Sequence, residues 1–527
     1  MGRMFFPQYR RTREGVELSD GTILDHAKKA GVEMAAECGG MGRCGRCVVR
    51  IEKGGELLSE RTAAEREHAL GANERLACQA RVVSTAGDLR VFIKDFGEYS
   101  VLSESIATAT ELDPFVRRAG DRVVRASGAD LGPYEGRILG LAVDVGTTTL
   151  VTEVVDLETG ETVGKAARKN PQIAFGNDVI SRIGHTMEHE DGLAELQRTV
   201  VDGLNEDLRG MERQAGPICR HIYDAVGVGN STMRSIFMGQ TVESLGVIPF
   251  EAANREPVTR RAADLGLAAH PEASVYGPAL IGGHAGADAL ADVLASGMHE
   301  SSEVNLLIDI GTNGEVVIGN RERLMTCSCA AGGAYEGATV RSGTGAIEGA
   351  ITNVTLTDGK VSYETIGGKP PVGICGSGLI DLLAELLRTG TMSRKAKIDG
   401  DFFVTGDIGI NQEDIYQLIT AKAGLRADQD LLIQYYGTTL AGVERIYLAG
   451  GFGSFIRPQS AVAIGLLPPA VDKVVRLGNA ALAGARQMLI SQAMRHTAEE
   501  VVARIEHAKP NELEPEFAYL VAERMYF

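Results

Sequence analysis

The chain has 527 residues, more than one hydrophobic core usually serves, so roughly two to four domains are expected. Hydrophobic residues make up 44% and charged residues 23%, as in globular proteins, and 65 glycines point to many tight turns or backbone-lined sites. The net charge of −17 and the dispersed basic residues exclude a nucleic-acid partner, so an anionic ligand must rely on glycine-loop amides or helix N-termini.

In chain order, the start MGRMFFPQYRRTREG carries charges where a signal peptide needs apolar residues. No later run approaches the ~20 apolar residues of a membrane span. A cytoplasmic protein without a membrane partner is the expectation. Residues 1–97 read as one small α+β unit. DGTILDHAKKAG predicts a helix opening at Asp20, CVVRIEKG a strand, TAAEREHAL a polar helix, and RLACQARV and DLRVFI short strands. Between the first helix and the first of these strands lies CGGMGRCGRC, Cys38 to Cys47. Residues 98–136 are rich in Ser, Ala, Gly and Pro with little periodicity, which predicts a linker with room for a short helix. From 137 to 527, strands alternate with helical patterns, and one unit repeats. LGLAVDVGTTTLVTEVVDLETGE around Asp144 and NLLIDIGTNGEVVIGNRERL around Asp309 each read as a strand, an acidic residue, a Gly-Thr turn and a second strand. The second copy begins near residue 303. A glycine strip, Gly450-Gly451-Phe452-Gly453, follows a late strand.

Eight cysteines in so long a chain make no disulfide scaffold, and clustered thiols in a reducing compartment point to metal or redox chemistry. Cys38-x5-Cys44-x2-Cys47, with Cys78 thirty-one residues on, supplies four thiolates as three plus one. Structural zinc usually takes two short pairs, so the layout fits it poorly. Plant-type [2Fe–2S] spacing, C-x4-C-x2-C…C, differs by one residue in the first gap. The glycines let the loop wrap a bulky cluster and aim backbone N–H groups at it. The segment is similar to the [2Fe–2S] domain of the ferredoxin superfamily, in the variant with the five-residue gap. That resemblance implies a β-grasp fold, one-electron transfer, and Cys38, Cys44, Cys47 and Cys78 as ligands.

A single Asp-x-Gly-Thr is most simply a hairpin turn. Two copies with the late glycine strip suggest a polyphosphate site. Hydroxyl and N–H donors come from Gly146, Thr147, Thr148, Gly311, Thr312 and Asn313. Asp144 and Asp309 can hold Mg²⁺ or orient a water, and the strip lets backbone approach a flat adenine. No Walker A or GxGxxG accompanies them. The arrangement resembles the ASKHA superfamily of acetate and sugar kinases, Hsp70 and actin. That resemblance implies two duplicated ribonuclease-H-like α/β subdomains with ATP between them, phosphates at the two hairpins and adenosine on Gly450, Gly451, Phe452 and Gly453. Glu315 either joins the metal shell or pairs across the hairpin.

NPQIAFGNDVISRI, GVGNSTM, CSCAAGGAYEGA, GICGSGLIDLLAELL and LAGGFGSF, taken with both motif sets, resemble the reductive activators of corrinoid proteins, over nearly the whole chain. These fuse an N-terminal [2Fe–2S] domain to an ASKHA domain, and some members add a small middle domain for which this chain has only residues 98–136. The resemblance implies ATP-dependent transfer of one electron to Co(II) of a corrinoid protein, regenerating Co(I) for methyl transfer. It also implies an upstream donor such as a ferredoxin or flavoprotein, and leaves a homodimer open. The rival readings are a small-metabolite kinase with an accessory cluster, an activator of radical dehydratases, and a redox-sensing nucleotide-binding module. Ser328, between Cys327 and Cys329, is either a temporary cobalt ligand or a turn serine beside two core thiols. His185 and His189 at i, i+4 read as a solvated helix face. Cys219 and Cys375 read as small core residues, and His284 as bordering the cleft or packing.

Overall fold

The computed structural model describes residues 2–6, 15–30, 32, 34, 40–43, 47–68, 70, 72–93, 109–329, 333–337, 339–451 and 455–527. These form two compact units, one made of residues 1–97 with 169–203 and one of residues 98–168 with 204–527.

In the first unit a five-stranded sheet runs in the order Val16–Glu17, Arg3–Phe5, Leu89–Ile93, Val48–Lys53, Glu74–Leu76. Only the Arg3–Phe5 and Leu89–Ile93 pair is parallel. The helix Ile23–Lys29 starts at a capping box in which Thr22 Oγ1 accepts from the Asp25 N–H and the Asp25 carboxylate accepts from the Thr22 N–H. A second box, Thr62 with Glu65, opens the helix Ala63–Glu67. Met4, Ile23, Ala27, Val49, Leu76, Leu89 and Val91 form the core, and Cys47 and Cys78 are buried in the same cluster. Helix and sheet match the β-grasp expectation.

Glu65 is fully buried. Burial pushes its carboxyl up, but bonds from Arg75 and from the Thr62 and Leu76 N–H groups outweigh this and hold it below the ordinary range. Arg75 reaches it through Nε at 2.8 Å and NH2 at 3.0 Å. Arg75→Met would leave the carboxylate buried without its counter-charge. A loss of about 3–5 kcal/mol from this unit is expected, read by chemical denaturation of the full chain. The same unit holds Lys169–Gly203, where Arg182 is buried and donates to the Gly176 carbonyl and to Gln172 Oε1, and where the Phe175 ring lies 4.9 Å from Lys28 Nζ.

The second unit begins with a departure from expectation. Residues 116–133, read from sequence as linker, form a three-stranded antiparallel sheet of Val116–Ala119, Arg122–Arg125 and Asp130–Pro133. Its inward residues Val116, Val123 and Leu131 are too sparse among charged and small neighbours to show a period in the sequence. Two six-stranded sheets follow. The first runs Thr162–Lys169, Thr149–Asp156, Leu139–Val145, Ile222–Val228, Ser274–Gly277, Val258–Arg261. The second runs Val474–Gly478, Arg445–Ala449, Asn305–Ile310, Gly314–Gly319, Leu324–Cys329, Ile505–His507. Each is built on one of the two predicted hairpins, with a later strand added in parallel to the hairpin's first strand. The leading strands are buried almost throughout, as sheets covered on both faces require. The alanine-rich helices Ala287–Ser296 and Ala480–Ile490 pack together in the core shared by the two sheets.

Candidate functional site

The thiol site begins where Val48–Lys53 and Glu74–Leu76 pair. Their register places Cys47, just before one strand, near Cys78, just after the other. The two sulfurs lie 3.3 Å apart with no disulfide between them, and the Cys78 N–H points at Cys47 Sγ at 3.5 Å. The contact with Cys47 and a bond from Gln79 pull the Cys78 thiol down to about 6 against its burial. Gln79 Nε2 also donates to the Gly40 carbonyl and His68 Nε2 contacts that of Gly42, which fixes residues 40–42 beside the pair. Tetrahedral metal–thiolate bonds of about 2.3 Å give a sulfur–sulfur edge of about 3.8 Å. A buried, easily ionised pair at 3.3 Å lies about half an ångström inside that edge, and a small parting of the two sulfurs would make them adjacent cluster ligands. Cys38 and Cys44 lie outside the described residues.

The second site is an open cleft of about 1140 Å³ in the second unit. The turns of the two hairpins meet there, bringing together Asp144, Gly146, Thr147, Thr148, Asp309, Gly311, Thr312, Asn313 and Glu315, with Gly450 and Gly451 alongside. Phe452 and Gly453 lie outside the described residues. Two helix caps hold the turns. Asn230 Oδ1 accepts from the Met233 N–H while its amide donates to Thr147 Oγ1 at 2.9 Å. Asn479 Oδ1 accepts from the Leu482 N–H while its amide donates to Asp144 Oδ2 at 2.9 Å. Each asparagine thus starts a helix and orients a site residue.

Carboxyl groups collect at the same place. Asp288 and Asp292, one turn apart on Ala287–Ser296, join Asp144, Asp309 and Glu315, which stands opposite Asp309 in the strand register. Burial pushes Asp144 and Asp288 up to about 7, with the Asn479 bond pulling Asp144 partly back. Asp292 and Glu315 are raised well above the carboxylate range, first by burial and then by neighbouring carboxylates, and burial also raises Asp309. Both Asp292 oxygens and Asp309 Oδ1 are buried and have no hydrogen-bond partner among the described residues. Such a set is completed by a cation. Among the described residues no three of these groups converge to coordinate a metal directly. The fit is therefore to Mg²⁺, which keeps several waters and binds through one or two carboxylates and substrate phosphates.

Gly450 makes a close approach. Its φ is +111°, and a Cβ there would lie 2.5 Å from the Ile310 carbonyl oxygen and 2.7 Å from Asp309 Oδ1. Gly450→Ala should push the second hairpin out of place and weaken MgATP binding at least about tenfold by titration, since a strained backbone and a clash combine.

Asp288, Asp292, Asn230, Asn479 and Glu336, which lies among the cleft-lining residues, were not singled out from sequence. Asp288 and Asp292 carried a signal in their i, i+4 spacing behind a glycine-rich run, and the two asparagines in standing where N-caps belong. Ser328 lies on a strand, not a turn. It is opposite Glu315, with its hydroxyl 3.4 Å from Glu315 Oε1. Cys327 and Cys329 are neighbours of Asp428, whose carboxyl burial raises to about 6. His185, on the helix Val179–Glu188 in the first unit, is bonded to Glu195 at 2.9 Å, and its ring is tilted by 46° against that of His189. Cys375 is buried at the start of Gly376–Arg388 and borders the cleft. Cys219 is half-buried, with its thiol pushed up to about 12 by burial and by Glu212. His284 lies 5.8 Å from the Phe250 ring.

Comparison with known proteins gives a family to each part of the chain. Residues 10–83 match the 2Fe-2S iron-sulfur cluster binding domain, 139–301 the RACo middle region, and 303–526 the C-terminal domain of RACo, the ASKHA domain. The chain is 30% identical over 563 aligned positions to the corrinoid activation enzyme RamQ of Eubacterium limosum, covering 93% of each. It is 26% identical to the [Co(II) methylated amine-specific corrinoid protein] reductase of Methanosarcina barkeri, over 69% of this chain and 72% of that one. The solved structure of a reductive activator for corrinoid, iron-sulfur protein aligns over 100% of this chain and 98% of its own, at 29% identity and a TM-score of 0.74. With a ferredoxin-type unit, an ASKHA unit and this end-to-end similarity in one chain, the protein belongs to the family of reductive activators of corrinoid proteins.

Proposed function

We infer that the chain is an ATP-dependent reductase that delivers one electron to Co(II) of a protein-bound corrinoid and so restores Co(I) for methyl transfer. The observation that carries this is the presence, in one chain of this family, of a buried thiol pair and a carboxylate-lined nucleotide cleft. A [2Fe–2S] cluster on Cys38, Cys44, Cys47 and Cys78 supplies one-electron chemistry. Thr147, Thr148, Thr312 and Asn313 donate to the phosphates, Gly146 and Gly311 admit them, and Asp144, Asp309 and Glu315 hold hydrated Mg²⁺. Gly450 and Gly451, with Phe452 and Gly453, back the adenosine.

The fusion answers an energetic need. Each ~59 mV by which an electron must climb costs tenfold in a one-electron equilibrium. Binding that favours the Co(II) partner over the Co(I) product offsets that cost, and nucleotide turnover then separates the two proteins. In this reading the domains divide at 97 and 137, the donor is a ferredoxin or flavoprotein, the protein works in the cytoplasm, and a homodimer is compatible with it. Among the described residues no helix is long and apolar enough to cross a membrane. The test is ATP hydrolysis measured with and without a Co(II) corrinoid protein. Stimulation several-fold by the corrinoid protein and no phosphorylated small-molecule product are expected. A phosphorylated metabolite and indifference to cobalt would establish the kinase instead.

A further inference from the structure

Glu336 sits in the cleft on a short turn whose two neighbours fix its place. Tyr335 is buried and its hydroxyl donates to the Leu418 carbonyl of the helix Gln412–Tyr436 at 3.0 Å. Gly337 has φ +77°, and a Cβ on it would lie 2.3 Å from the Thr344 N atom, so the turn must close at a glycine. Held this way, one Glu336 carboxylate oxygen takes hydrogen bonds from both hairpin threonines: Thr148 Oγ1 at 2.8 Å, and Thr312 Oγ1. The two hydroxyl oxygens are themselves 2.8 Å apart. Three mutually close oxygens have two hydroxyl protons between them. Both can be donated to the carboxylate, which leaves the hydroxyl–hydroxyl edge without one. The two hairpins, which belong to different sheets, are thereby clasped together at their turns.

A phosphate oxygen seeks the same two donors and bears the same charge as the carboxylate. It cannot share them with Glu336, because like charges at that distance repel strongly in a partly buried site. We propose that Glu336 is an internal stand-in for the terminal phosphate of the nucleotide: it clasps Thr148 and Thr312 in the nucleotide-free chain, only a triphosphate displaces it, and this competition holds down the affinity of the site for ATP while leaving that for ADP untouched. A diphosphate leaves the clasp shut. The proposal rests on the reading that the cleft binds ATP with its phosphates at the two Gly-Thr turns.

The test is calorimetric titration of the full chain, cluster loaded, with MgATP and with MgADP, for the unmodified protein, Glu336→Ala and Glu336→Gln. Hydrogen bonds to a charged group set the scale: MgATP should bind about ten- to a hundredfold more tightly to Glu336→Ala. Gln keeps an acceptor without the charge, so its gain is in the same direction and smaller. MgADP affinity should change less than about twofold, which also reports that the variants are folded. Unchanged or weaker MgATP binding in both variants would overturn the proposal, as would an equal gain for MgADP. If the unmodified chain binds neither nucleotide, the ATP reading itself fails and takes the clasp with it.

Discussion

Cys78→Ser is expected to remove the visible absorbance of the cluster and to lower corrinoid reduction to background, while MgATP binding stays within about twofold of the unmodified chain. The expectation follows from where Cys78 stands. Its sulfur is 3.3 Å from Cys47, its thiol is drawn down to about 6, and both residues are packed in the core of the first unit. Serine keeps the volume but has no readily ionised sulfur, so one corner of the cluster site is lost. Among the described residues, the nucleotide cleft is lined entirely by the second unit. Cluster and nucleotide functions should therefore separate cleanly, by absorbance spectroscopy on one side and titration on the other. Loss of both in this variant would contradict the assignment of one function to each unit.

The second large effect is expected at Asp144. Asp144→Asn keeps an oxygen for the Asn479 amide but removes the negative charge facing the bound cation, so MgATP binding should fall at least about a hundredfold and reduction should stop. Stability should move the other way. Burial raises the Asp144 carboxyl from 3.8 in the unfolded chain to about 7. The folded form then holds a proton that the unfolded form has already lost. The associated stability is whole below pH 3.8 and declines as the pH rises toward 7. It is gone above that, a difference of roughly 4 kcal/mol at most. Asparagine carries no such dependence. In nucleotide-free, Mg²⁺-free buffer the variant should melt higher than the unmodified chain at pH 8, and the two should converge near pH 4. A variant that melts lower at pH 8 would show that the carboxylate is already compensated without the cation.

Much of this was legible because the motifs are local. The two Gly-Thr hairpins announce themselves as apolar strands broken by an acid and a glycine, and the structure brings both turns to one cleft. Cys47 and Cys78 are adjacent because a strand pairing puts them there, and the spacing already hinted at it. The misses are of two kinds. The sheet at 116–133 has one inward residue per short strand, too little to produce a period of two. Asp288, Asp292, Asn479 and Glu336 come from segments far apart in the chain and become neighbours only when the helices Ala287–Ser296 and Ala480–Ile490 pack. No local pattern encodes a long-range meeting of that kind. Ser328 shows the limit from the other side: the sequence made it conspicuous between two cysteines, and strand alternation turns it toward Glu315.

If nucleotide drives an electron from this chain to cobalt, the decisive experiment mixes the chain, its cluster reduced beforehand, with a Co(II) corrinoid protein under anaerobic conditions and follows the Co(I) absorbance with and without MgATP. Co(I) should accumulate with MgATP at a rate at least about tenfold above that without it, a difference of ~1.4 kcal/mol in barrier. Equal accumulation in both, or none in either while the cluster stays reduced, would contradict the account.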